Sequence, residues 1–287
     1  MILEIVLAAG CFWGVQAVFD NTAGVVSTQV GYTGGITENP TYKDVSSGLT
    51  HHAEAVKVVY DDSKISTKEI LDVFFQSHNP TTLNRQGPDI GTQYRSAIFY
   101  STPQQKEIAQ EKIKQYQPFF KSKIVTEVVP LKEFYPAEEY HQKYLQKTGR
   151  ACHINDNAFD KEAYYKSTMS KERYNVMRLK ETEKPYSGKY LVLKEDGIYR
   201  CGACGQALFS ASSRFDSGSG WPSFDKALPN AVEIRKDYSH FMIRDEVVCS
   251  RCKSHLGHIF KDGPTPSGNR FCINSVALDF IKEKPAK

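Results

Sequence analysis

Seven cysteines are spread over 287 residues, and their spacing separates three kinds of sulfur chemistry. Cys201/Cys204 (CGAC) and Cys249/Cys252 (CSRC) form two C-x2-C pairs, a spacing that wraps each pair around a metal ion. Cys11, in GCFWG, and Cys272, in RFCINS, stand beside aromatic residues, with no second cysteine three positions on. Isolated thiols in such settings read as nucleophiles. Cys152, in GRACHIN, is placed to resolve an oxidised partner. The count predicts one structural metal site and two separate thiol active sites on one chain.

The two pairs lie 44 residues apart, and a β-rich domain can bring their turns to one tetrahedral centre. Soft thiolates without a histidine or carboxylate in register favour zinc, with an iron–sulfur cluster as the runner-up. Four thiolates leave no open position, so such a zinc is structural. Two unrelated redox pairs are the competing reading, but these would favour an α/β setting.

Cys11 follows a predicted strand, Ile2–Leu7, and precedes a predicted helix, Trp13–Asp20. The free N–H groups and positive end of a helix stabilise a thiolate there. Taken alone, Cys11 reads equally well as a buried core cysteine. The first half continues with strands at Val25–Tyr32, Ala53–Tyr60, Tyr94–Tyr100 and Ile124–Val129. Ser66 opens a helix with Glu69 at the capping-box position. Thr102-Pro103 opens another, to about Tyr116, and Ala137–Lys147 is the last. This is a two-layer α/β or α+β pattern. Residues 156–169 are polar and irregular, a linker between domains at 1–155 and 170–287. The second half starts with a helix, Ser170–Leu179. Short strands follow at Tyr190–Leu193, Gly197–Arg200, Val232–Arg235, Val247–Val248, Asn269–Asn274 and Val276–Phe280, a mostly-β pattern.

Composition is that of an ordinary globular protein. The net charge of +4 comes from the second half. Residues 1–155 carry 15 Lys/Arg against 16 Asp/Glu, and 156–287 carry 22 against 17. That excess is far short of a nucleic-acid-binding stripe. No run approaches the ~18 apolar residues of a membrane span. MILEIVLAAG has no basic n-region, and Glu4 interrupts it, so a buried strand is expected rather than a signal peptide. Paired cysteines without a secretion signal indicate a reducing, cytoplasmic setting.

The segments GCFWG, GYTGG (31–35), NPTYKDV (39–45), HAEAV (52–56), DIGTQYRS (89–96) and AEEYHQKYL (137–145) occur in the order found in A-type peptide methionine sulfoxide reductases. The first half resembles that family throughout. The resemblance implies a ferredoxin-like fold, with Cys11 as nucleophile and Glu54 as acid. Tyr42 and Tyr94 would hydrogen-bond the sulfoxide oxygen, Asp89 and His141 would support them, and Phe12 and Trp13 would hold the S-methyl group. Attack by Cys11 would leave methionine and a cysteine sulfenic acid. Cys152 would then form a disulfide for thioredoxin to reduce. The residue types suit this chemistry. A sulfoxide oxygen leaves only when protonated, and a desolvated carboxylic acid can donate that proton. Glu54 sits in a strand between Ala53 and Ala55 with Val56 next, where a glutamate needs a reason.

Residues 170–280 resemble B-type methionine sulfoxide reductases through PYSG (185–188), CGAC, GWPSF (220–224), HLGHIF (255–260), DGP and RFCINS. The resemblance implies a zinc-containing fold of coiled β-sheets, with Cys272 as nucleophile. His258, Asn274 and Arg270 would polarise or protonate the sulfoxide, Trp221 would pack on the methyl, and His255 would shape the pocket. The competing reading of HLGHIF as two zinc ligands meets a site already saturated by four thiolates. Ser219 stands where this family often has a resolving cysteine. Reduction of the Cys272 sulfenic acid therefore falls to an external thiol, thioredoxin or a small one, with Cys152 as the alternative partner. The expected whole is a fused enzyme that reduces the S epimer in its first domain and the R epimer in its second, with no organic cofactor. Two other readings remain at this level. One is a zinc-ribbon binding module with an inert thiol domain. The other is a general thiol–disulfide oxidoreductase, against which the solitary Cys11 and Cys272 speak.

Overall fold

The structure is a computed structural model and describes residues 1–150, 158–192, 195–239 and 242–283. These residues form two compact units, Met1–Lys161 and Glu162–Lys287.

The first unit is built on β1 (Ile2–Ala9), α1 (Phe12–Asp20), β2 (Val25–Thr33), α2 (Tyr42–Ser46), β3 (Ala53–Asp61) and α3 (Thr67–Ser77). After a two-stranded ribbon, β4 (Arg85–Gln86) and β5 (Asp89–Ile90), come β6 (Ser96–Tyr100), α4 (Pro103–Tyr116), β7 (Glu127–Pro130), β8 (Phe134–Pro136) and α5 (Tyr144–Thr148). The sheet order is β7-β6-β1-β3-β2-β8. Its four inner strands, β6-β1-β3-β2, are mutually antiparallel, which is the arrangement of the ferredoxin-like βαββαβ unit. β1 is buried from Ile5 to Ala9 because it lies in mid-sheet with both faces covered. On one face, Val6, Ala8, Ala53, Ala55, Ala97 and Phe99 cluster under Val129, Leu131 and Phe134.

The helix ends follow the sequence signals. Ser66 and Glu69 form a reciprocal capping box at α3, and Thr102 caps α4 with Pro103 in its first turn. The predicted helix 137–147 is different. It is a 3-10 turn, Glu139–His141, and a short α5, separated by Gln142 in extended backbone and Lys143 in the left-handed region. Tertiary hydrogen bonds break it. The Gln142 amide bonds both the N–H and the C=O of Val30, at 3.0 and 2.9 Å, and the Lys143 N–H donates to Gln16 Oε1 at 2.7 Å. Tyr94 likewise ends a 3-10 turn, Thr92–Tyr94, and the strand begins only at Ser96.

The second unit begins one residue into α6 (Lys161–Thr168) and holds α7 (Lys171–Leu179), then β9 (Gly197–Cys201), β10 (Ala207–Ser210), β11 (Arg214–Phe215) and β12 (Ser223–Phe224). β13 (Val232–Asp237), β14 (Arg244–Cys249), β15 (His255–Phe260), β16 (Arg270–Ile273) and β17 (Leu278–Lys282) complete it. The strands form an antiparallel three-stranded sheet, β10-β9-β17, and a six-stranded one, β11-β12-β16-β15-β14-β13. Tyr199, Phe209 and Phe224 pack between them, with Phe209 and Phe224 stacked at 4.4 Å. Residues read as irregular linker include α6, which is helical because Tyr164 and Tyr165 are buried. The expected strand at Tyr190–Leu193 is a turn and bend as far as Val192, and Leu193 lies outside the described residues.

Candidate active sites and metal centre

In the first unit, Gly10 delivers the chain from β1 into α1. It sits at φ +92°, where any Cβ would lie 2.6 Å from the Gln86 side chain. The turn makes Cys11 the N-cap of α1, half-exposed at the positive helix end. Glu54 on β3 lies opposite Tyr32 of β2 and is only 3% exposed. Its Oε2 accepts the Phe12 N–H at 3.0 Å, which ties the carboxyl to the residue after Cys11. Burial pushes the Glu54 carboxyl up to about 8, against the opposing Phe12 hydrogen bond and with help from Asp89. At neutral pH this acid keeps its proton.

Tyr42 and Tyr94 are half-buried beside these groups. Burial first, and then the neighbouring Glu54, Cys11 and Asp89, hold both phenols above their ordinary values. They are therefore neutral hydrogen-bond donors. The Asp89 carboxyl is also pushed up by burial. Phe12 and Trp13, the first residues of α1, pack around His141. The Trp13 indole N–H donates to His141 Nδ1 at 3.0 Å, and the Phe12, Trp13 and Tyr42 rings lie 5.2, 5.5 and 4.4 Å from the His141 ring. Burial lowers His141, so it acts as a neutral acceptor that fixes the indole. Sequence reasoning missed Tyr144, which stacks on Trp13 at 3.9 Å. It also missed Glu138, whose carboxylate accepts the Tyr32 hydroxyl and the Tyr42 N–H, both at 2.9 Å. Both lie in AEEYHQKYL, where Glu138, His141 and Tyr144 recur every third residue. Cys152 falls outside the described residues.

In the second unit, Cys272 on β16 faces His258 of β15 on one side and Ser223 of β12 on the other. Gly257 permits this close pairing, since a Cβ there would meet the Cys272 carbonyl oxygen at 2.0 Å. The Cys272 sulfur is half-exposed and lies 3.8 Å from Ser219 Oγ. Burial pushes the thiol above its ordinary value, while the Ser219 hydroxyl and the Arg270 guanidinium pull it back. Arg270 is itself held by Asp262 through two 2.8 Å bonds. The Trp221 indole donates to the Glu183 carbonyl at 3.0 Å. His255 is buried, with Nδ1 2.8 Å from Glu246 Oε1. Asn274 directly follows β16. Its amide accepts the Glu183 N–H and donates to the Leu256 carbonyl, both at 3.0 Å. It is 3% exposed and braces the segment that holds Trp221.

Cys201, Cys204, Cys249 and Cys252 are buried, with all four sulfurs within 4.8 Å of one another. Two sulfur pairs are 3.6 Å apart. A tetrahedral zinc with bonds of about 2.3 Å requires sulfur–sulfur edges of about 3.8 Å, so this set fits a metal ion. Each pair closes the same turn. The Gly205 N–H bonds the Cys201 carbonyl at 2.9 Å, and the Lys253 N–H bonds the Cys249 carbonyl at 3.0 Å. Both closing residues have positive φ. A metal in such a site contributes about 10–16 kcal/mol to folding. Chelation is therefore expected to unfold the second unit and abolish its turnover, with the first unit's turnover intact. Circular dichroism and epimer-resolved assays after chelator treatment check this.

A half-exposed cysteine at a helix start in one unit, and another on a strand beside a histidine in the other, fit thiol chemistry at two places on one chain. A family model described as peptide methionine sulfoxide reductase matches residues 3–173, and a SelR domain model matches residues 169–282. The chain belongs to the peptide methionine sulfoxide reductase family, with an A-type domain followed by a B-type domain. Among solved structures, it is similar to reduced Mxr1 from Saccharomyces cerevisiae, with 37% identity and a TM-score of 0.51 over 53% of this chain and 89% of that one. It is also similar to methionine sulfoxide reductase A of Corynebacterium diphtheriae, with 41% identity and a TM-score of 0.50 over 54% of this chain and 84% of that one. The chain is an enzyme with the two peptide-methionine sulfoxide reductase activities. No helix among the described residues is long and apolar enough to cross a membrane.

Proposed function

We propose that Cys11 and Cys272 are the two nucleophiles, that each serves one sulfoxide epimer, and that they work independently. In the first domain, the S epimer lies with its methyl against Phe12 and Trp13 and its oxygen towards Tyr42, Tyr94 and Glu54. Glu54 gives its proton to the oxygen as the Cys11 sulfur attacks. The substrate's S–O bond breaks, the Cys11 sulfur gains the oxygen, and the thiol proton restores the acid. The products are methionine and a sulfenic acid. The observation that carries this reading is the buried, proton-retaining Glu54, tied to the N–H that follows Cys11. Asp89 helps to keep that proton, and His141 orients Trp13. Cys152 resolves the Cys11 sulfenic acid as a disulfide.

In the second domain, Cys272 attacks the R epimer beside Trp221. Arg270 stabilises the thiolate and His258 supplies the proton, while His255 and Asn274 shape the site. The four-thiolate centre holds structural zinc. Its four thiolates leave no open position, so every chemical step belongs to side chains. Residues 1–155 and 170–287 are the functional domains, and the compartment is the reducing cytoplasm. Thioredoxin is the first domain's reductant. An external thiol reduces the second, because Ser219 occupies the place of an internal partner. Zinc-loaded enzyme with dithiothreitol is expected to convert both epimers of a methionine sulfoxide peptide. Failure on either epimer contradicts the assignment for that domain.

Ser219 suggests a direct test of the reductant. Its Oγ is already 3.8 Å from the Cys272 sulfur, within reach for a disulfide after small adjustment. Ser219→Cys is expected to yield a 219–272 disulfide after one equivalent of R epimer, detected by peptide mass mapping. Persistence of an unpaired Cys272 sulfenic acid in that variant would contradict the placement.

A further inference from the structure

Two carboxylates stand behind the histidine pair of the second domain, and neither has a place in the chemistry above. Glu246, His258, Cys272 and Ser223 form one row across β14, β15, β16 and β12. Asp237, at the end of β13, reaches into this row, with Oδ2 2.8 Å from His258 Nε2. The same oxygen accepts Arg244 at 2.9 Å, and Oδ1 accepts the Ser239 N–H at 2.9 Å. Although burial opposes it, these bonds hold Asp237 well below the usual carboxylate range, so it is ionised whenever the enzyme works. Glu246 is committed elsewhere, to His255 and to Lys180, each at 2.8 Å.

We infer that Asp237 is a positioning residue for the R-epimer reaction: it fixes the proton of the neutral His258 ring on Nε2 and aims Nδ1 at the substrate. The inference rests on His258 being the proton source. A carboxylate at one ring nitrogen selects the tautomer and stabilises the imidazolium. His258 Nδ1 has no hydrogen bond among the described residues and is the nitrogen left for chemistry. His255 is unsuited to this role, because burial lowers it despite Glu246. Among the described residues, the charged and titratable groups facing His258 are Asp237, with Arg244 on its far side, Glu246 and Cys272 on the neighbouring strands, and His255; Arg270 acts on Cys272. Nδ1 of the neutral ring first takes the Cys272 thiol proton, giving a thiolate and an imidazolium held by Asp237. As the thiolate attacks the sulfoxide sulfur, the imidazolium returns that proton from Nδ1 to the oxygen. The substrate S–O bond breaks and the cysteine S–O bond forms. Two electrons pass from Cys272 to the substrate sulfur, and the ring ends neutral.

Asp237→Asn, His258→Ala and the double variant, all zinc-loaded in the full chain, test this with S-epimer turnover as the internal control. Expected is a fall of about 10–100-fold in R-epimer kcat for Asp237→Asn, with KM little changed and S-epimer turnover intact. The substitution should cost nothing further in the His258→Ala background. Nitrogen NMR of the unmodified enzyme should find the neutral His258 proton on Nε2. A proton on Nδ1, or a loss that persists without His258, overturns the inference. An unaffected Asp237→Asn beside an inactive His258→Ala overturns this inference alone. An active His258→Ala overturns it together with His258's role as donor.

Discussion

Cys11→Ser is expected to abolish reduction of the S epimer while leaving R-epimer turnover at its original rate, and Cys272→Ser to do the reverse. Serine keeps the size of the side chain but not its chemistry: a neutral hydroxyl neither attacks sulfur at neutral pH nor accepts the oxygen as a stable sulfenic acid. The loss should therefore reach the assay background. Separation of the effects follows from the two sites. In the proposed assignment Cys11 works with Glu54, Tyr42 and Tyr94, and Cys272 with His258 and Arg270. No side chain is shared between them. Chiral assay of the residual sulfoxide checks both variants. Loss of both activities from one substitution would contradict the independence of the sites.

Glu54→Gln is expected to lower S-epimer kcat by about 10²–10⁴-fold, the usual contribution of a positioned general acid. Glutamine can still occupy the slot beside Phe12 N–H, but it has no proton to give. The pH dependence carries the same information. The acid is pushed up to about 8 by burial, so its proton is present below that value and lost above it. S-epimer kcat should fall as pH rises through about 8, and this alkaline limb should vanish in Glu54→Gln. A variant with unchanged kcat, or a profile that keeps the same limb, would remove Glu54 from the chemistry.

Much of this design was legible in the residues because it depends on local rules. The Ser66/Glu69 capping box, the Thr102-Pro103 helix start and the Cys11 turn each lie within a few consecutive residues. The four metal-site cysteines announce themselves by spacing, and Glu54 by being an acid set between Ala53 and Ala55. What escaped depends on residues far apart in the chain. The 137–147 segment has helical composition, but Gln142 gives its amide to Val30 on β2 and breaks the helix. On a regular strand, His255 and His258 would point to opposite faces. A shift in the β14–β15 register between Val247 and Val248 lets their rings approach to 5.3 Å. Asp237 meets His258 across 21 positions, and Glu138 meets Tyr32 across 106. No pattern in either segment points to those pairs.

Each epimer should oxidise one particular sulfur. The direct measurement is to mix reductant-free, zinc-loaded enzyme with a single equivalent of each pure epimer, in a Cys152→Ser background that removes the proposed resolving thiol. A sulfenic-acid trapping reagent and peptide mapping then locate the oxygen. Expected is the adduct on Cys11 with the S epimer and on Cys272 with the R epimer, each matched by one equivalent of released methionine. Adducts on both cysteines from one epimer, or methionine released with neither sulfur modified, would contradict the two-nucleophile mechanism.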